Sequence, residues 1–68
     1  MNTAVPENKQ QIIINVLSNA KLSTDDEIIF YLQSKTKIHK DLITQIVVNE
    51  RPMFLENDQH KIDFSKYF

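Results

Sequence analysis

Apolar side chains recur three and four residues apart in three successive stretches of the chain. That spacing matches the turn of an α-helix, in which such positions line one face. In the first stretch Ile13, Val16, Leu17 and Ala20 carry the period, with Ile12 and Ile14 beside them. Pro6 and Glu7 stand just before it. Proline suits a first helical turn, and a carboxylate there faces the positive end of the helix dipole. A helix over about 7–20 follows. Ser23, Thr24, Asp25, Asp26 and Glu27 then supply capping groups, with Thr24 and Glu27 at capping-box spacing. They predict a second helix over about 25–34. Ile28, Tyr31 and Leu32 share one side of it, Ile29 lies at the edge, and Phe30 sits nearly opposite. An ordinary amphipathic helix does not carry an aromatic ring there. Phe30 is therefore expected to lie under the terminal Tyr67 and Phe68, or to meet a partner.

A third helix over about 39–50 places Leu42, Ile43, Ile46 and Val47 on one face. Asp41, Thr44, Gln45 and Val48 fall on the other. The run Ile46-Val47-Val48 is β-branched, so a strand competes there. Length and period favour the helix. The pattern changes at Arg51-Pro52. Met53-Phe54-Leu55 is a short apolar run, and Glu56-Asn57-Asp58-Gln59 is turn chemistry. His60 to Phe64 then alternates, with Ile62 and Phe64 on one side, which predicts a β-hairpin over 53–64. The chain has no glycine, so a tight two-residue turn is disfavoured. Asn57 or Asp58 is expected to take the left-handed conformation instead.

Length and charge narrow the picture. Sixty-eight residues make one domain, and a chain this short buries only about 60 % of its unfolded surface. With no cysteine, neither a disulfide nor a cysteine zinc site can brace it, so the apolar 41 % must. The formal net charge of −1 raises no flag for nucleic acid, which must be argued from local charge placement. Residues 1–6 lack the basic and apolar stretches of a signal peptide. The longest apolar run, 28–32, is far too short for a membrane span. A cytoplasmic protein is expected, with no membrane partner.

The order of three helices and a hairpin resembles the winged helix-turn-helix superfamily. Leu22 to Leu32 resembles the capped second helix, and Ile38 with Leu42, Ile43 and Ile46 resembles the turn and recognition helix. Arg51-Pro52-Met53-Phe54-Leu55, Asn57-Asp58-Gln59 and Ile62 resemble the wing, and are similar to that of HARE-type winged helices, the RNA polymerase delta kind. The expected fold class is accordingly α+β, a small winged helix over 7–64. A flexible N-terminus, 1–6, and a tail, 65–68, flank it. The resemblance implies double-stranded DNA as partner and a role in transcription, as a small regulator or accessory factor.

Residue chemistry gives that reading its candidates. Lys35, Lys37, His39 and Lys40 form a local basic cluster where the turn would face phosphates. Thr44 and Gln45 on the third helix can read base edges, while Asp41 would repel phosphate. His60 and Lys61 would lie on the wing. The competing reading is a protein-interaction winged helix, polymerase-associated or an inhibitor of a host protein. Its contacts, or those of a homodimer, would be Phe30, Val48, Tyr67 and Phe68. Enzymatic chemistry is not expected. The acidic run Asp25-Asp26-Glu27 is explained by capping, and His39 and His60 share no metal-ligand spacing. There is no cysteine nucleophile and no glycine-bearing loop to cradle a phosphate. No cofactor, metal or small-molecule substrate is expected.

Overall fold

The computed structural model describes residues 6–68. Helix α1 (Glu7–Asn19) starts at Pro6, whose carbonyl accepts from the N–H groups of Lys9 and Gln10 at 3.1 and 3.2 Å. Its Ile13 and Leu17 are fully enclosed, with Ile12, Ile14 and Val16 packed beside them. The helical period in the sequence is thus the buried face. Helix α2 (Asp25–Thr36) opens on the expected capping box. Thr24 Oγ1 accepts from the Glu27 N–H at 3.2 Å, and Glu27 Oε1 accepts from the Thr24 N–H at 2.8 Å. Its buried side holds Ile28, Ile29, Leu32 and Thr36. Tyr31, expected on that side, is 46 % exposed, because the face centres nearer Ile29.

The left-handed position falls at Lys37 (φ 62°), and Asn57 is extended (φ −149°). Lys37 ends α2 by donating its N–H to the Gln33 carbonyl, where glycine is the usual residue. Holding a side chain in that conformation costs about 1–2 kcal/mol. The buried hydroxyl of Thr36 supports the turn. It donates to the Leu32 carbonyl at 2.6 Å and accepts from the Ile38 N–H at 3.2 Å.

Helix α3 (Lys40–Glu56) does not stop at Arg51 but runs through Pro52. The expected hairpin over 53–64, and with it the α+β winged-helix class, is overturned: the three helices are followed only by a 3-10 turn, Phe64–Lys66, and no strand occurs among the described residues. Pro52 has no N–H for the Val48 carbonyl, a loss of about 3 kcal/mol in a helix interior. Continuing the helix, however, carries Phe54 into the core with no exposed surface. Burying a phenylalanine is worth about as much or more. The alternation at Ile62 and Phe64 is real, but these residues pack onto the helices rather than pair in a sheet.

All three helices touch one another around Ile13, Leu17, Leu32, Ile43, Ile46, Val47 and Phe54. Asp63 caps the terminal turn, accepting from the Ser65 N–H and hydroxyl at 3.2 and 2.5 Å. Far from trailing as a tail, Tyr67 and Phe68 pack against the core, and Phe68 lies 6.5 Å from Phe64. The expected flexible segment falls almost wholly on residues 1–5, outside the described residues. No described helix is long and apolar enough to cross a membrane.

Candidate functional site

The connection between α2 and α3 brings Lys37, His39 and Lys40 around one shallow depression, whereas Lys35 stands on the Tyr31 side of α2. Lys35, Lys37, His39 and Lys40 are all exposed. The Lys35 ammonium stands 5.6 Å from the centre of the Tyr31 ring, a cation–π contact one helical turn back. His39 Nδ1 accepts from the Asp41 N–H at 3.1 Å, which caps α3 and fixes the ring at its start. The Asp41 carboxylate lies 3.9 Å from the same nitrogen, and both groups are largely in solvent. Among the described residues, Lys37 and Lys40 form no ion pair.

Gln45 and Val48 are exposed on α3, and Gln45 borders the hollow that Asn49, Glu50 and Tyr67 also line. Thr44 is half-buried, and its hydroxyl donates to the Lys40 carbonyl at 2.8 Å, leaving mainly its methyl to meet a ligand. Phe30 is 72 % exposed and borders two shallow depressions, one toward Lys37 and His39 and one toward Asp26 and Thr44. Its expected cover is elsewhere, since Tyr67 is bonded to Glu50 and Phe68 lies on Phe64.

His60 and Lys61 do not join the basic surface, because no hairpin carries them there. His60 Nε2 lies 2.6 Å from Glu50 Oε1, and its ring meets Phe54 edge-on at 5.1 Å. Lys61 borders a hollow between the C-terminal segment and α1, beside Gln10 and Ile14.

Sequence reasoning missed the two buried charges of α3. Glu50 is 4 % exposed, and both its oxygens are engaged, one by His60 and one by the Tyr67 hydroxyl, which donates to it. Lys66 Nζ stands 3.9 Å away. Burial pushes the Glu50 carboxyl up, but the His60 and Tyr67 hydrogen bonds and the Lys66 charge outweigh it and hold it below its ordinary value. The same contacts act oppositely on Tyr67, whose hydroxyl is raised by burial and by the Glu50 carboxylate. Arg51 reaches the other way. It donates to Asp25 Oδ1 at 2.6 Å, to the Ala20 carbonyl at 3.1 Å and to the Ser23 carbonyl.

A carboxylate, an imidazole and a phenol in contact invite a catalytic reading. Both Glu50 oxygens already hold internal partners, and among the described residues no serine or cysteine lines the hollows that His60 borders. The cluster fastens the C-terminal segment to α3. No group of three or more His, Cys, Asp or Glu side chains suited to a metal ion occurs among the described residues. Comparison of the chain with protein-family models, curated proteins and solved structures returns no significant match.

Proposed function

We propose that this chain is a non-catalytic module that binds double-stranded DNA through α2, the turn after it and the first half of α3. In this reading α3 enters the major groove with Gln45 and the Thr44 methyl toward base edges. Lys35, Lys37 and Lys40 contact phosphates. A small cytoplasmic transcription regulator or accessory factor is the corresponding role.

The observation that carries the reading is where the uncommitted cations lie. Lys21 and Lys66 are drawn to carboxylates, at 2.6 Å from Asp58 and 3.9 Å from Glu50. Five lysines have no ion-pair partner among the described residues: Lys9, Lys35, Lys37, Lys40 and Lys61. Three of these five fall within 35–40, with Lys37 and Lys40 flanking the turn into α3 and Lys35 over the Tyr31 ring. Without a wing the phosphate footprint is small. Three contacts give a salt slope of about −2.7, so raising salt fourfold weakens binding roughly 40-fold.

Fluorescence anisotropy on duplex DNA at about 50 and 200 mM salt tests the reading. Binding at the lower salt, a steep loss at the higher, and a shallower slope for Lys37→Ala and Lys40→Ala are expected. Lys61→Ala should behave as wild type, since it borders α1. Absence of binding at the lower salt, where phosphate contacts are strongest, contradicts the proposal.

A further inference from the structure

The outer face of α2 has an order of its own. Asp26, Phe30, Gln33, Ser34 and Lys37 follow one another along it, and all are exposed. Of the three acids that open the helix, Asp25 is tied to Arg51 and Glu27 to the cap. Asp26 alone has neither an ion pair nor a capping role among the described residues. At the far end Lys37 is likewise without an ion pair there. The face therefore carries a free anion at one end, a free cation at the other, and a ring that is 72 % exposed between them.

Such a face is complementary to itself when reversed. We infer that α2 pairs antiparallel with α2 of a second copy of this chain, with Asp26 of each copy opposite Lys37 of the other and the two-fold axis between Phe30 and Gln33, so that the two Phe30 rings flank the centre. A two-fold axis demands that one patch serve both sides, and this sequence of charges meets that demand. It meets it only in the antiparallel sense, since parallel helices would set Asp26 against Asp26 and Lys37 against Lys37. The two rings would supply the desolvated part of the contact and the charges its rim. A contact through one helix face falls at the small end of specific interfaces, below about 1,200 Å² in total. The dimer is accordingly weak, reversible and favoured by low salt.

This inference goes beyond the DNA reading and does not depend on it. The two share Lys37, so if both hold, a duplex and a second copy compete for the same surface.

Sedimentation of the nucleic-acid-free full chain from about 10 µM to 1 mM tests the pairing. The apparent mass is expected to climb toward twice that of the monomer. Phe30→Ser, Asp26→Lys and Lys37→Asp should each remain monomeric while keeping the wild-type helical circular dichroism. Leu55→Ser, at an exposed apolar site on α3 rather than α2, should dimerise as wild type does. The deciding sample is an equimolar mixture of Asp26→Lys and Lys37→Asp, which should regain the dimer because each supplies the charges the other lacks. A wild-type chain that stays monomeric throughout overturns the inference. So do a mixture of the two folded variants that stays monomeric and a Phe30→Ser chain that dimerises normally. None of these results bears on whether DNA binds in the anisotropy assay, so the two ideas fail separately.

Discussion

The two halves of α3 are held in place by different chemistry. Through Asn49 the helix buries only hydrocarbon: Ile43, Ile46 and Val47 have no exposed surface. From Glu50 onward it buries Glu50 and Arg51 together with Phe54. Arg51 fastens the connection between α1 and α2, and Glu50 fastens the C-terminal segment at His60 and Tyr67. The first half is therefore free to present its outer face to a ligand. The second half is the place where distant parts of the chain are tied together. A buried charge that loses its partners costs several kcal/mol, whereas an exposed lysine that loses its neighbours costs little. Substitutions in the two halves should differ accordingly.

The largest expected effect lies in the second half. Phe54→Ala should destabilise the protein by about 3–5 kcal/mol in a urea titration, which would unfold much of a domain this small. Val48→Ala, in the first half and exposed, should change stability by less than about 0.5 kcal/mol. Equal effects would contradict the burial of Phe54 in the second half and the exposure of Val48 in the first. Next in size, and opposite in sign, is Pro52→Ala. It restores an N–H for the Val48 carbonyl and should stabilise the chain by roughly 1–3 kcal/mol, since Pro52 itself is exposed. A destabilised Pro52→Ala would mean that the proline ends the helix rather than interrupting it.

The smallest effect is the pH dependence of the Glu50 clasp. Its carboxyl is lowered from an ordinary value of 4.5, so the folded state favours the ionised form. The resulting stability is complete above that ordinary value and is lost as pH falls through the lower folded one. Thermal melts of wild type should therefore decline below about pH 4.5, with Glu50→Gln showing a flatter decline. Identical slopes for the two chains would remove Glu50 from the pH response.

The same division explains how far the sequence could be read. Signals confined to a few neighbouring residues were legible: the Thr24–Glu27 box and the Ile13–Leu17 period. Signals that depend on remote contacts were not. Pro52 reads locally as a stop, and only the core site waiting for Phe54 reverses that. Nothing local marks Glu50 and Arg51 as buried, because charged residues usually lie at the surface. Yet positions 43, 46, 47, 50, 51 and 54 form one uninterrupted helical face once the period is followed past the proline. Lys37 carries no mark of its left-handed turn, since glycine is the residue that ordinarily announces one. The site suffered in the same way. His60 and Lys61 were assigned to a surface that existed only with a hairpin, whereas Phe30 stood out from its own helix and is indeed exposed.

The continuation of α3 is decided most directly by backbone NMR chemical shifts. Helical Cα and Cβ shifts at Met53, Phe54 and Leu55, with sequential helical contacts across Pro52, are the expected result. Extended shifts there, with cross-strand contacts from 53–55 to 62–64, would contradict it and restore the hairpin.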